Sequence, residues 1–580
     1  MRISRVFVAM VAVALAVACG SDNGVTDPGP QPVLGLAATP KGATTLTISF
    51  TGTPGDASYS VERATGASGA FAVAGTVAAP AAGGTVTWDD TGLTPNTLYR
   101  YRVTTVRGAA NSSPSGEISA TTGAPGGSSL TINQDISANR TLYPDTAYTI
   151  SGFVHVANGA TLTILPGTII KGDYNVLGSS LMIMRGAKIN AVGTAAAPIV
   201  FTSSRPAGQR QPGDWGGLII VGNAPDNRSG VVNIEGSGTD GAAVVSGKNY
   251  PVQYSGGTVA TDNSGTLAYV RVEFSGYAPL QDQEFNSFTF AAVGSGSRAS
   301  YLESLAGLDD SFEFFGGGFD LDHLVAFETA DDVLDMSEGF NGRIQFVVAQ
   351  ATSQLVPRTG AGFYSVDLEG IENDGCNGTG CDLGFNSTPL TTPLVANFTL
   401  IGCGQASCVG SGGGYGMMLR RGTGGYYVNG VVARWPSGAV SLRDAATYAR
   451  AGSTTTPAAT ADLQVRNVYA ADVPRFFQAN TATPATQFDL DLTANALTLS
   501  ATAAASLFTS IPAVGAAPTS INDFDFSPAA NSPLATAGLA TLTGAIAAKA
   551  GTFVTGTSYV GGAAPGGPKW WQGWTSYARN

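Results

Sequence analysis

Two short acidic stretches of the sequence carry the side chains that could do chemistry. GLDDSFEF is followed by ADDVLDM, and each stretch contains two adjacent aspartates and a third acid three residues further on. The two copies lie 22 residues apart. Ca²⁺ prefers carboxylate and other oxygen ligands and takes about six to eight of them. The pattern predicts a cation site, with Ca²⁺ as the candidate cofactor, at Asp309, Asp310, Glu313, Asp331, Asp332 and Asp335.

The 22-residue spacing also indicates that the two acidic stretches stack on each other. Neighbouring parallel strands lie about 4.8 Å apart, and like charges at that distance repel by on the order of 3 kcal/mol at an effective dielectric near 20. A bound cation would offset this repulsion, with further oxygens available from Asp320, Asp322 and Glu338. Two other interpretations stay open: the acids splay into water, or they bond backbone amides and Ser311.

The same acids permit an enzymatic alternative. Glycoside hydrolysis uses two carboxyl groups at a suitable separation, and a lyase would need a basic residue such as Arg343, Arg420 or Arg443. The chain has only two histidines, and the sequence assigns no catalytic residue. An open groove with the acids facing an arginine or lysine would favour the enzyme. Buried or loop-tip acids without a groove would favour binding or structure.

Composition limits what can position these side chains. With 580 residues, 77 glycines and only 12% charged residues, the chain is typical of an all-β, turn-rich protein with more than one domain. The formal net charge of −12 repels phosphate backbones, which argues against nucleic acid as a partner.

A repeat of about 22 residues predicts a β-solenoid. Apolar residues fall above apolar residues and acids above acids in successive copies, and a third copy would place Gln345 under His323 and Phe346 under Leu324. The segments MLRR (418–421) and SLRD (441–444) repeat at a spacing of 23. We expect parallel coils over residues 130–555. The predicted pairs are Tyr301 with His323, Leu302 with Leu324, Asp309 with Asp331, Asp310 with Asp332, Phe312 with Leu334, Glu313 with Asp335, and Phe314 with Met336.

Several motifs in this region resemble a known family. They are GATLTILPGTIIKG, GDWGGLIIVGNAP, LAYVRVEFSGY, DDSFEFFGGGFDLDHLVAF and WWQGWTSYARN. Together they are similar to exported bacterial right-handed parallel β-helix proteins, many of which are lipoproteins. The resemblance implies the fold, and it implies no defined activity.

The N-terminal part of the chain, before the repeat, has a different pattern. Short alternating runs from residue 33 to 122 predict a small β-sandwich, followed by a linker at 123–129. Within it, LTPNTLYRYRV resembles the fibronectin type III signature, with Tyr99 as the tyrosine-corner residue, Leu93 as its companion and Phe50 in the usual place of Trp. The resemblance implies a spacer or binding module.

The first residues predict export. Arg2 and Arg5 precede an apolar run that ends in small residues before Cys19, so residues 1–18 are interpreted as a lipoprotein signal peptide and Cys19 as the lipidated residue. Residues 19–32 form a linker. We expect anchoring to the bacterial outer membrane or cell surface through acyl chains. A plain secretory signal is the alternative.

The other cysteines and the terminal tryptophans are further candidate sites. Export favours disulfides, and Cys376, Cys381, Cys403 and Cys408 allow three pairings. Two local loops are preferred, with a Cys381–Cys403 bridge and a zinc site as alternatives. In residues 556–580, an aromatic cap over the open end of the solenoid is preferred over glycan stacking for Trp570, Trp571 and Trp574.

These observations predict a surface lipoprotein. Its fold class is a fibronectin type III β-sandwich followed by a right-handed parallel β-helix, and its role is binding, adhesion or envelope structure, with Ca²⁺ as a stabilising ion. The partners are the membrane, through the lipid anchor, and a polysaccharide or a surface protein. The alternative function is that of a polysaccharide lyase or glycoside hydrolase acting on extracellular polysaccharide.

Overall fold

The protein was analysed as a computed structural model that describes residues 29–123, 129–238, 250–280, 283–363, 365–410, 412–452, 459–478 and 487–577. These residues form two compact units. Residues 29–39, 46–92 and 97–121 belong to the first, and residues 40–45, 93–96 and those from 122 onward belong to the second. Among the described residues, no helix combines the length and apolar character needed to cross a lipid bilayer.

The first unit is a fibronectin type III β-sandwich, as the sequence predicted. One sheet has the order β1-β2-β5, and the other has the order β4-β3-β6-β7, with β8 also paired to β6. Alternate residues of β2 are buried, and Phe50 and Tyr99 lie in the core. The strands are β1 (Leu34–Pro40), β2 (Thr45–Gly52), β3 (Ser58–Thr65), β4 (Ala72–Ala78), β5 (Gly84–Thr91), β6 (Leu98–Arg107), β7 (Ala110–Asn111) and β8 (Ile118–Thr121).

The second unit is a parallel β-helix built on two sheets, which confirms the predicted fold class. Its larger sheet has fifteen strands. They are β9 (Ser129–Ile132), β10 (Arg140–Leu142), β11 (Ala147–Ile150), β13 (Thr161–Ile164), β14 (Ile169–Gly172), β16 (Lys188–Val192), β17 (Ile199–Ser203), β19 (Gly265–Glu273), β21 (Arg298–Leu305), β23 (Asp320–Phe327), β25 (Arg343–Gln350), β27 (Leu394–Ile401), β29 (Gly425–Ala433), β31 (Leu463–Ala471) and β32 (Thr498–Leu499).

The smaller sheet has nine strands, all joined in parallel pairs. Their inward side chains include stacked rings, with Phe288 above Phe312 at 5.1 Å and Phe290 above Phe314 at 5.4 Å between centroids. The strands are β12 (Phe153–Val156), β15 (Ser180–Ile183), β18 (Leu218–Val221), β20 (Phe288–Ala291), β22 (Phe312–Phe315), β24 (Asp332–Ser337), β26 (Glu369–Asp374), β28 (Tyr415–Arg420) and β30 (Gly438–Leu442).

The strand register confirms most of the predicted repeat. Leu302 pairs with Leu324, and Glu313 pairs with Asp335 together with its predicted neighbours. The 23-residue repeat is also confirmed by the pairing of β28 with β30. The register predicted for the third copy was wrong by one position, because Gln345 pairs with Asp322 and Val347 pairs with Leu324. One additional residue between β23 and β25 shifts the register.

The long strands of the fifteen-stranded sheet each turn a corner at one residue with positive φ. This left-handed conformation redirects the chain between two faces of the coil, and asparagine tolerates it better than most residues. In the first strands the corner side chains are aromatic and stack on each other, and in the last strands they are asparagines. They are Tyr269, Tyr301, His323, Phe346, Asn397, Asn429 and Asn467.

The coiled region ends earlier than the predicted boundary at residue 555. Its last paired strand is β32, after which the chain forms the antiparallel pair β33 (Phe508–Ser510) and β34 (Asp525–Pro528) and packs on the outside of the fifteen-stranded sheet. The helices are α1 (Ala445–Arg450), α2 (Ala504–Leu507) and α3 (Gly544–Ala550), with single 3₁₀ turns at Gly384–Asn386, Ala406–Cys408, Ile521–Asp523 and Pro533–Ala535.

Candidate cation site

The predicted acids meet on the outer face of the nine-stranded sheet. Glu313 of β22 pairs with Asp335 of β24, which pairs in turn with Glu372 of β26. Successive side chains of a strand point to opposite faces, and Phe312 and Phe314 on either side of Glu313 lie in the core. The three carboxylates therefore form one outward-facing row across three strands.

A second row of acids lies beside the first, where the chain enters each strand. Asp332 pairs with Glu369, and its backbone N–H donates to Oδ1 of Asp310 at 2.9 Å. Asp309 and Asp331 directly precede these residues in the chain. We call the whole set the acid cluster: Asp309, Asp310, Glu313, Asp331, Asp332, Asp335, Glu369 and Glu372.

The carboxylate oxygens of the acid cluster are close enough to share cations. They form four overlapping groups of three, and in each group one oxygen per residue lies within 4.8 Å of the others. The groups are Asp309 with Asp310 and Asp331; Asp310 with Glu313 and Asp335; Asp331 with Asp332 and Glu369; and Asp332 with Asp335 and Glu372.

Several of these oxygens are buried without a hydrogen-bond partner. Asp332 is 3% exposed and Glu369 is 2% exposed, and among the described residues Asp332 Oδ1 and Glu369 Oε1 have no partner. Asp335 Oδ1 has none either, and the buried Ser311 hydroxyl does not bond an acid as one interpretation of the sequence required. A buried carboxylate without a partner is costly, and either a proton or a bound cation would relieve that cost.

Burial and neighbouring carboxylates raise the pKa of every acid in the cluster. Burial is the largest cause, and it raises the pKa of Asp331 to about 6 and, with the nearby Asp374, that of Glu372 to about 8. Burial and neighbouring carboxylates also raise the pKa values of the other six well above their ordinary range. A bound cation would reverse this effect, because it favours the charged carboxylate.

Six acids of the cluster, together with arginines, line a cavity of about 400 Å³, and Asp332 and Glu369 lie outside its lining. Arg420 Nε donates to Asp374 Oδ1 at 2.9 Å, and a second nitrogen of the same guanidinium contacts Glu372. Arg421 also contacts Asp374. On another wall, Arg228 Nε donates to Glu338 Oε1 at 2.6 Å. Acids facing arginines in a cavity are the arrangement that the sequence analysis associated with an enzyme.

Some residues that the sequence suggested lie elsewhere. Asp320 forms an ion pair with Arg343 at 2.8 Å on β23 and β25 of the other sheet, and Asp322 contacts Arg298 there. These two acids therefore cannot add oxygens to the cluster. Arg443 donates to the carbonyl oxygen of Gly412 at 3.0 Å. Of the three arginines considered, only Arg420 lines the cavity.

Two acids of the cluster were missed by the sequence analysis. Glu369 and Glu372 lie in EGIEND, which repeats the acid-x-x-acid spacing of Asp310 to Glu313 and of Asp332 to Asp335. That spacing was an available signal. It was obscured because a longer segment separates β24 from β26, so the third copy does not follow at about 22 residues.

The cysteines form the two local loops, Cys376–Cys381 and Cys403–Cys408. The first loop follows β26 directly, and its Asn377 lines the cavity. Inside this loop the carbonyl oxygen of Thr379 accepts a hydrogen bond of 2.6 Å from Arg228. The disulfide loop thus helps to position one arginine of the cavity.

The terminal tryptophans lie on the side of the β-helix. Trp574 packs edge-on against Tyr269 and Tyr301, and Trp570 packs edge-on against Tyr301 and His323. These corner residues belong to β19, β21 and β23, inside the strand order, so the predicted cap over an open end was wrong. Trp571 is 0% exposed and Trp574 is 2% exposed, which leaves neither face free for a sugar ring. Trp570 is half-buried.

The predicted lipidation site, Cys19, and the signal peptide at residues 1–18 lie outside the described residues. Lipidation and membrane anchoring therefore stay predictions.

Comparison with known proteins gives two kinds of match. The sequence model of the family described as "Pectate-lyase like beta helix domain" matches residues 134–511. A Fn3-like protein from Clostridium thermocellum is 26% identical, with a TM-score of 0.14, over 16% of this chain and 94% of that one. The FN5 domain of Drosophila Lar is 21% identical, with a TM-score of 0.14, over 17% of this chain and 99% of that one. No curated protein matches the chain.

Proposed function

The chain belongs to the pectate-lyase-like β-helix family, and from that premise we propose that it binds a divalent cation in the acid cluster and uses it to hold an extracellular polysaccharide. The observation that carries the proposal is a pair of buried oxygens, on Asp332 and Glu369, that have no hydrogen-bond partner within the described part of the chain. Ca²⁺ is the proposed ion because it accepts many carboxylate ligands in irregular geometry. It supplies the positive partner that the buried oxygens lack.

A short segment of a polysaccharide fits the cavity in size and polarity. Its volume of about 400 Å³ lies within the range of about 300–1,000 Å³ typical of ligand pockets. Carboxylates and guanidinium groups line it, which suits a hydroxyl-rich ligand better than an apolar one. Without a cation the ionised acids of the cluster repel an anionic sugar, and the protonated ones offer it no opposite charge. With a cation bound, the sugar carboxylate can complete the coordination shell while Arg421, which is partly exposed, donates to it.

We place this binding activity at the cell surface. The proposed lipid on Cys19 anchors the chain to the outer membrane, and the fibronectin type III unit serves as a spacer between the anchor and the β-helix. Adhesion to a polysaccharide matrix or organisation of the envelope would follow from this arrangement. A surface protein is the other partner considered. Its binding would not depend on a cation that coordinates a sugar carboxylate.

Cleavage of the polysaccharide is the second candidate, favoured by the position of Arg420 beside Glu372 in the cavity. A lyase base must be able to lose its proton, however, and Asp374 and Glu372 raise the pKa of Arg420 above its already high value despite its burial. Arg420 therefore stays protonated. We assign binding as the function and give no residue a catalytic role.

Calorimetry on the full chain tests the proposal. Chain treated with chelator and then dialysed is titrated with Ca²⁺, and polygalacturonate, alginate and neutral dextran are then titrated with and without Ca²⁺. We expect Ca²⁺ binding and a Ca²⁺-dependent affinity for an anionic polysaccharide but not for dextran. Lack of Ca²⁺ binding would refute the cation site, and equal affinity in chelator would refute the role of the ion. New reducing ends or unsaturated products would replace binding with cleavage.

A further inference from the structure

We propose that the last strands of the nine-stranded sheet carry a second binding surface, which holds an acidic sugar through hydrogen-bond donors and needs no metal ion. The surface lies beside β28 and β30, where four side chains with donor groups surround Tyr415 and Ser441. We call these four the donor patch: Arg443, Arg475, Gln478 and Gln487. None of them lines the cavity of the acid cluster, so the inference goes beyond the proposed function.

Arg443 brings to this surface a positive charge that has no counter-ion. Its guanidinium carbon lies 5.6 Å from the centroid of the Tyr415 ring, and its Nη2 donates to the carbonyl oxygen of Gly412 at 3.0 Å. These contacts position the group but do not neutralise it. Asp367 accepts from the backbone N–H of Gly412 at 3.3 Å. Neither Asp367 nor any other acid in the described part of the chain forms an ion pair with Arg443.

Two buried hydroxyl groups orient glutamine amides beside this arginine. Ser441 Oγ accepts from Arg443 Nε at 3.1 Å and donates to Gln487 Oε1 at 3.1 Å. The hydroxyl of Tyr415 donates to Gln478 Oε1 at 2.9 Å. Both amide oxygens are thus occupied, and the two NH₂ groups have no acceptor among the residues that the structure describes. They are left as donors for a ligand.

Arg475 adds a second positive charge next to Tyr415. Its Cγ and the Cδ1 of Tyr415 lie 3.2 and 3.6 Å from the position that a β-carbon on Gly438 would occupy. Glycine at this position therefore lets the stem of Arg475 pack close to the strand. The residue is exposed, and its guanidinium makes no hydrogen bond or ion pair with other described residues.

The chemistry of the donor patch selects an anion with many acceptor oxygens. Guanidinium groups only donate, and their hydrogen bonds to carboxylates are among the strongest in proteins. Because the chain as a whole carries a net charge of −12, two arginines without counter-ions distinguish this surface. An acidic sugar offers a carboxylate to the arginines and hydroxyl oxygens to the amides. An acidic peptide offers the carboxylates without the hydroxyl groups.

Calorimetry in chelator tests the inference, because chelator removes any contribution of a metal ion. The full chain is titrated with trigalacturonate, neutral maltotriose, a triglutamate peptide and inorganic sulfate. We expect trigalacturonate to bind most tightly, and Arg443→Gln to lower its affinity by about tenfold or more. Gln487→Glu keeps an oxygen for Ser441 but adds a negative charge, so it should also weaken binding. Arg466→Gln is the control, because Arg466 Nε also lacks a partner among the described residues but lies on β31 of the other sheet.

The outcomes separate the donor patch from the proposed cation site. Failure of trigalacturonate to bind in chelator, or equal affinity in the wild type, Arg443→Gln and Gln487→Glu, would overturn the inference. Equal affinity for sulfate or for the peptide would overturn the assignment to a sugar. Far-ultraviolet circular dichroism and melting verify that each variant is folded. Lack of Ca²⁺ binding would refute the proposed function and leave the donor patch intact, because the patch contains no acid of the cluster.

Discussion

Glu313 and Asp335 are directly paired on neighbouring parallel strands, with both carboxylates on the outer face of the sheet. Like charges placed opposite each other destabilise a sheet. On the preceding strand the same row holds Thr289, and further along it holds Met418, so uncharged residues are compatible with this position. Folding therefore does not require the acids. Their presence is better explained by a ligand that the charged row binds.

Removing one of the paired charges should stabilise the metal-free protein. Glu313→Gln keeps the size of the side chain and its ability to accept from Asn286. It removes a buried carboxyl that, without a cation, must either stay charged beside Asp335 or take up a proton at a cost in stability. We expect the free energy of unfolding in chelator to rise by about 1–3 kcal/mol. Denaturant unfolding of the full chain measures it, with Glu117→Gln, on an exposed acid of the fibronectin unit, as the control. An unchanged or lower value would mean that the acids are already neutralised by another means.

Calcium should stabilise the protein through the acid cluster. An ion that binds the folded state alone adds about 2.7 kcal/mol at a hundredfold excess over Kd, so we expect a higher Tm in Ca²⁺ than in chelator. The double variant Asp309→Asn, Asp331→Asn should lose most of this increase, because these residues occur in two of the four oxygen groups. Calorimetric unfolding provides the measurement. A full Ca²⁺ response in the double variant would exclude these two aspartates as ligands.

The sequence was sufficient to place the first six acids but not the whole cluster. Asp310 and Asp332 lie in neighbouring coils, and the sequence predicted this because the two coils have the same length. The position of Glu369 could not be predicted in this way, because a longer segment precedes β26. Gln345 was misplaced by one position because a single additional residue shifts every later pairing.

Long-range packing was the part that the sequence could not supply. Trp574 is distant in the chain from Tyr269 and Tyr301, and nothing in its neighbourhood shows that it packs on their rings. A repeat relates only adjacent coils, whereas the C-terminal segment lies outside the repeat. The position of Arg228 could not be predicted either. Its contacts with Glu338 and Thr379 hold it at the cavity, and both residues are distant from it in the chain.

The tryptophan contacts should determine how firmly the C-terminal segment is docked. Trp574→Ala removes a buried indole that packs on Tyr269 and Tyr301. Such substitutions cost about 3–5 kcal/mol, and we expect faster amide hydrogen exchange over residues 556–577. Trp88→Ala, in the fibronectin unit, is the control and should leave this segment unaffected. Unchanged exchange in Trp574→Ala would show that other contacts alone hold the segment.

Lys549 on α3 should give a pH-dependent contribution to stability. Burial and the nearby Arg343 lower the pKa of Lys549 from 10.5 to about 8. The folded state thus disfavours the charged amine. The free energy of unfolding therefore increases as the pH rises from about 8 to above 10.5, and this gain is lost as the pH falls back to about 8. Compared with Lys549→Met, the wild type should become relatively more stable over that interval. Parallel unfolding curves at pH 7, 9 and 10.5 measure the difference, and a constant difference would contradict the lowered pKa.

Arg421 should affect polysaccharide binding without removing the cation. It lines the cavity, is partly exposed and contacts Asp374, which Arg420 also contacts. Arg421→Gln removes a donor that could reach a sugar carboxylate, and a hydrogen bond to a charged group contributes about 1.5–3 kcal/mol. We expect affinity for an anionic polysaccharide in Ca²⁺ to fall by about tenfold or more, while Ca²⁺ affinity is retained because Arg421 is not a ligand. Calorimetry measures both affinities, with Arg100→Gln in the fibronectin unit as the control.

A parallel loss of Ca²⁺ affinity would instead mean that Arg421 supports the acid cluster. Unchanged polysaccharide affinity would place the sugar on another wall of the cavity.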